Sequence, residues 1–125
     1  MSSQTPLHRV QGLGAAHSGV GHFWRQRVSA VVLVPLSIWF AVSALGLVGA
    51  REPAVLIFLS NPLNAVLMGT FMLVSIYHMA LGLQEVITDY IHHEGVKLLL
   101  RTLNYAFAFA VALACVFALL RIAIG

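Results

Sequence analysis

Residues 62–90 read PLNAVLMGTFMLVSIYHMALGLQEVITDY. From Pro62 to Gln84 there is no Asp, Glu, Lys or Arg. A helix over that stretch covers about 34 Å at ~1.5 Å per residue, enough to cross a hydrocarbon core of roughly 30 Å. Its start is marked by Asn61, an amide suited to an N-cap, and by Pro62 at the first helical position, where a missing N–H costs nothing. The charge-free run begins earlier, at Pro53, and is too long for one straight crossing. Ser60-Asn61-Pro62 therefore divides it. Ala54–Leu59 is read as a short apolar piece at the membrane interface, and the span as about 62–89.

The whole chain has the same character. Of 125 residues 60% are hydrophobic and 9% charged, against about 25% charged in a soluble domain. So small a domain has too much surface for this little charge to cover, and a disordered chain is polar and charge-rich. A small membrane protein remains. Val28 to Ala50 is a second charge-free run of spanning length. Val48-Gly49-Ala50 resembles a signal-peptidase site, but the run exceeds the ~7–15 residues of a signal core, so a retained span is expected. Pro35 inside it predicts a kink. The third run, bracketed by Lys97, Arg101 and Arg121, predicts a span over about 98–121. No repeat is visible. The expected fold is all-α: a single membrane-anchor domain over 1–125, a polar N-terminal segment over 1–27 and three transmembrane helices in a helical bundle.

The formal charge of +3 is an orientation signal. Arg9, Arg25 and Arg27 precede the first span, and Lys97 and Arg101 follow the second, all on one side; Arg51 and Arg121 fall on the other. The excess places the N-terminus in the cytoplasm, or in the matrix of an organelle, and the C-terminus across the membrane. The basic residues form no cluster with interleaved aromatics, so no nucleic-acid partner is expected. Cys115, the only cysteine, lies in an apolar run and reads as helix packing.

Against this background His78 is the exception, an ionisable group deep in an apolar helix. Such residues face a bundle interior and carry function by default. At ~100° per residue, Ser75, His78, Gly82, Glu85 and Asp89 share a sector of roughly 80°, a polar stripe unsuited to lipid. A membrane histidine serves as a haem ligand, a proton relay or a hydrogen-bonding link between helices, and spacing leaves all three open. Gly82, one turn on, removes a side chain where a flat macrocycle needs room. A low-spin haem takes two axial ligands, yet no other histidine lies at membrane depth, and Met68 and Met72 share the helix of His78. If His78 binds haem, the second ligand comes from another chain. Asp89-Tyr90 reads either as a helix end with an interfacial aromatic or as a site where a quinone accepts a hydrogen bond and protons. Arg25 and Arg27 read either as membrane-edge anchors or as partners for a haem propionate or a quinone oxygen.

The segment His78-Met79-Ala80-Leu81-Gly82-Leu83-Gln84-Glu85-Val86-Ile87-Thr88-Asp89-Tyr90-Ile91-His92 resembles the small, D-type membrane-anchor subunits of succinate dehydrogenase, the succinate:quinone oxidoreductase of respiratory complex II. His22-Phe23-Trp24-Arg25-Gln26-Arg27-Val28-Ser29-Ala30 is similar to the lead-in to that family's first helix. The resemblance implies that His78 is the axial ligand of haem b, shared with a larger cytochrome b-type anchor subunit; Gly82, by its place one turn on, is expected to pack on that haem. It implies that Tyr90 and Asp89 bind ubiquinone and that Arg27 lies by the haem propionates or the quinone cavity. It further implies a heterotetramer with an iron–sulfur subunit and a flavoprotein that oxidises succinate. The setting it implies is the bacterial inner membrane and its lipid, or the mitochondrial inner membrane. This chain would not be catalytic alone. Residues 1–16 match no motif. A non-redox scaffold, or a component of a proton-coupled transporter using His78, Glu85 and Asp89, is the reading from a different class.

Overall fold

The computed structural model describes Pro6 and residues 17–125. Residues 17–125 form four helices: α1 (His17–Gly46), α2 (Glu52–Ser60), α3 (Pro62–Tyr90) and α4 (Glu94–Ile124). Three of them, α1, α3 and α4, are long and apolar enough to cross a membrane. No strand occurs among the described residues.

The helix limits follow backbone chemistry rather than charge. α1 begins at His17, eleven positions before the apolar run, so the last part of the polar segment 1–27 is helix. Arg and Gln are good helix formers, and a charge at the membrane edge ends hydrophobicity without ending the helix. Arg9, counted toward orientation, lies outside the described residues, as do all of residues 7–16. Pro35 withholds its N–H, yet the helix is continuous through it. α1 stops at Gly46, short of Ala50, because the chain turns at residues 47–49, where Gly49 takes φ 79°, a region open to glycine. α3 starts as its sequence predicts, with Asn61 Oδ1 accepting from the Leu63 N–H at 3.0 Å. α4 starts before the predicted 98, because His93 Nδ1 accepts from the Val96 N–H at 3.2 Å and caps it. That cap is a histidine, which the usual Ser, Thr, Asp and Asn signals do not include.

α3 is the central element. It packs against α1 and α4, while α2 rests on α3 and α4. The stacked pairs Trp39–Phe58 and Phe40–Phe71 tie α1 to α2 and to α3, with ring centroids 6.1 and 4.9 Å apart. Gly69 brings α3 close to α4: a Cβ there would meet Leu119 Cδ2 at 3.2 Å. Little is buried within the chain itself. Among the described residues the apolar core is Leu36, Ala80, Leu81 and Ala108, joined by the polar Ser29, Gln84 and Asn104. Lipid is as apolar as leucine, so small residues that allow close approach and polar groups that bond across helices hold such a bundle. Asn104 does so directly, its Nδ2 donating to the Ala80 carbonyl at 2.9 Å. Asn104→Ala should therefore lower the unfolding free energy of the detergent-solubilised protein by about 0.6 kcal/mol, read as an earlier midpoint in an SDS titration; an unchanged midpoint would show that the bond contributes nothing.

Candidate functional site

The polar stripe of α3 faces α1 at three of its members, His78, Gly82 and Glu85. His78 Nδ1 lies 2.8 Å from Ser29 Oγ. Gly82 lies under Gln26: a Cβ at this position would reach Gln26 Nε2 at 3.8 Å, an ordinary contact. Glu85 Oε1 lies 3.0 Å from His22 Nε2, an ion-pair contact that lacks the alignment of a hydrogen bond. Successive turns of α3 thus meet successive turns of α1 in antiparallel register. The opposite face of α3 is equally committed. Besides Ala80, the Gln84 side-chain oxygen, in the amide orientation that satisfies both of its ends, accepts from Arg101 Nη2 at 2.8 Å and from Arg101 Nε.

Two recesses result. The first, about 340 Å³, opens between α1 and α3 and is lined by Phe23, Gln26, Arg27, Ala30, His78 and Glu85. Arg27 is held there by Phe23 one turn back, its guanidinium carbon 5.0 Å from the ring centroid. Gln26 Oε1 is buried without a hydrogen-bonding partner among the described residues. The second, about 550 Å³, lies at the polar end of the bundle, where the α1 start, the α3 end and the α4 start converge. His22, Arg25, Gln84, Glu85, Asp89 and Arg101 supply its polar wall.

The structure brings together His78 and Arg27 in the first recess and places Asp89 in the second. Tyr90 lines neither; it stands 76% exposed on the last turn of α3. Gly82 also lines neither, since α1 covers it. Four participants were not singled out in the sequence: Ser29, Gln26, Gln84 and Asn104. Gln84 and Asn104 had a readable signal, being amides within apolar spans, whereas Gln26 lies between Arg25 and Arg27 and had none. Ser29 had none, because serine is common in transmembrane helices and bonds its own backbone there.

The donor set suits one side of a metalloporphyrin. With Nδ1 against Ser29, His78 Nε2 meets no hydrogen-bonding partner among the described residues, and a cationic guanidinium shares its recess. A neutral imidazole nitrogen is an established axial ligand of haem iron, and a guanidinium pairs with carboxylates. No cluster of three or more His, Cys, Asp or Glu side chains that could hold a metal ion occurs among the described residues.

Comparison with known proteins decides the family. Residues 1–119 match the model of the succinate dehydrogenase/fumarate reductase transmembrane subunit. The chain belongs to that family. It is 31% identical over 121 residues to the succinate dehydrogenase hydrophobic membrane anchor subunit of Paracoccus denitrificans, covering 97% of this chain and 93% of the relative. It is 32% identical over 83 residues to the subunit of the same name from Rickettsia bellii, 66% of each chain. A succinate dehydrogenase membrane anchor subunit of Reclinomonas americana is 27% identical over 84 residues, 65% of this chain and 70% of that one. No solved structure matches. As a multi-pass membrane anchor, the chain is part of an enzyme rather than a catalyst alone.

The helix register can be checked directly. With Cys115→Ser as background, His22→Cys and Glu85→Cys should crosslink through a short bismaleimide, whereas Arg51→Cys and Glu85→Cys, at opposite ends of the bundle, should not. Mass spectrometry of the intact subunit distinguishes the two, and the reverse pattern would refute the packing of α1 on α3.

Proposed function

We propose that this chain anchors a succinate:quinone oxidoreductase in the membrane, that His78 ligates haem b, and that the α3 end forms part of a quinone site. The observation that carries the reading is the disposition of His78: one ring nitrogen is engaged by α1, the other is free, and Arg27 shares its recess. Family membership supplies the complex.

In this reading His78 Nε2 would hold the haem iron together with a ligand from a larger, cytochrome b-type anchor subunit. When bound, haem b supplies a one-electron redox centre within the membrane. Arg27 neutralises a propionate carboxylate, an interaction that strengthens where water is excluded. Gly82, one turn on from His78, would add no side chain beside that group.

Tyr90 and Asp89 take the quinone. The Tyr90 hydroxyl donates a hydrogen bond to a ring carbonyl, and Asp89, in the polar recess with Arg25 and Arg101, relays protons from the aqueous side. Reduction needs two electrons and two protons; the electrons come from an iron–sulfur subunit docked on this same face, which receives them from the succinate-oxidising flavoprotein. The exposure of Tyr90 fits a pocket whose remaining walls belong to those neighbours. Ubiquinone is the quinone that the family resemblance implies. The N-terminus and the polar recess face the cytoplasm of a bacterium, the side rich in Arg and Lys.

His78→Ala should abolish the b-type band in the reduced-minus-oxidised spectrum of the purified complex, and a persisting band would remove His78 from ligation. Tyr90→Phe should slow succinate-driven quinone reduction roughly fivefold, the equivalent of one hydrogen bond of about 1 kcal/mol, and leave succinate oxidation by soluble artificial acceptors intact. Equal loss of both activities would indicate failed assembly instead. A reporter fused after Gly125 should read as non-cytoplasmic; a cytoplasmic signal would overturn the orientation.

A further inference from the structure

Ser29 is 5% exposed, at the contact of α1 with α3. Its hydroxyl oxygen has two close polar neighbours, the Gln26 carbonyl oxygen at 3.0 Å and His78 Nδ1 at 2.8 Å. A hydroxyl has one hydrogen to donate and lone pairs with which to accept. The Gln26 carbonyl can only accept. Both contacts are hydrogen bonds only if Ser29 donates to Gln26 and Nδ1 carries the imidazole hydrogen, donating it to Ser29. The neutral ring then holds its lone pair on Nε2. The reverse arrangement, with Ser29 donating to Nδ1, would face the hydroxyl oxygen against the carbonyl oxygen with no hydrogen between them.

We infer that Ser29 is a positioning residue for the metal ligand: it selects the Nδ1–H tautomer of His78, fixes the ring plane, and raises the electron density of Nε2. This inference rests on the haem reading of His78. The bond couples two requirements in one contact. It links α1 to α3, and it leaves the ligating nitrogen deprotonated without a carboxylate in the membrane. The chain Nδ1–H to Ser29 Oγ–H to the Gln26 carbonyl polarises along its length, so the backbone of α1 serves as the terminal acceptor. A hydrogen bond to the non-ligating nitrogen makes imidazole a stronger donor and favours ferric over ferrous iron.

The test uses the purified, intact complex with Ser29→Ala, Ser29→Thr and Ser29→Cys. Haem loss to excess apomyoglobin and the haem midpoint potential are read per assembled haem. Ser29→Ala should lose haem about 10-fold faster than wild type and titrate at a more positive potential. Ser29→Thr, which keeps the hydroxyl, should stay close to wild type. If Ser29→Ala does not assemble, Ser29→Cys, whose sulfur is a weak acceptor, should titrate at a more positive potential than Ser29→Thr. Wild-type haem retention and potential in Ser29→Ala would overturn the inference, as would identical behaviour of the Thr variant and the Ala or Cys variants. A wild-type complex without haem would overturn the reading of His78 itself, and this inference with it.

Discussion

The bundle depends on one constraint: inside a bilayer a polar side chain must find its partner within protein. α3 carries such groups on two opposite faces. His78 and Glu85 look to α1, where Ser29 and His22 meet them, and Gln84 looks to α4, where Arg101 meets it. Asn104 of α4 returns a bond to the Ala80 carbonyl on that same face. Apolar packing alone cannot select a register between helices bathed in lipid, because sliding one turn exchanges one hydrocarbon contact for another. The Ser29–His78 and Asn104–Ala80 bonds can, since a slip would leave their buried polar atoms unpaired.

The same constraint places function. His78 and Glu85, which meet Ser29 and His22 of α1, also line the recess between the two helices, so the shape of that recess depends on the helix register. Toward the polar end the charges become denser, and three helix ends meet around Asp89, Arg25 and Arg101. The chain thus grades from a recess around a histidine at membrane depth to a charged recess at the polar end of the bundle. Many large side chains remain exposed, among them Tyr90 and Phe109 at 76% and 67%. Exposure of that kind is what a subunit embedded in lipid and other chains presents.

Much of this is legible along the chain. Three apolar runs define three spans, and Asn61-Pro62 marks the start of α3. The 3.6-residue period assembles His78, Gly82 and Glu85 on one face. The lead-in to α1 is less legible: Arg25 and Arg27 interrupt hydropathy, although the helix runs through them from His17. Gly82 shows the limit of one-dimensional reasoning. A glycine beside a candidate ligand suggests space for a cofactor, whereas what stands opposite it, Gln26 of α1, is set by the packing of a distant segment.

The sequence by itself determined that the protein is a three-span membrane helix bundle, which end gathers its charge, and that His78 is out of place as a lipid-facing residue. Composition and periodicity suffice for these, because the cost of exposing charge or backbone to hydrocarbon is the same in any fold. Only the tertiary structure decided which helix covers the polar stripe, that Ser29 engages Nδ1 rather than Nε2, and that Arg27 shares the recess with His78 while Tyr90 stands outside. Those facts depend on the register of α1 against α3, and register is a relation between distant segments that no local period encodes.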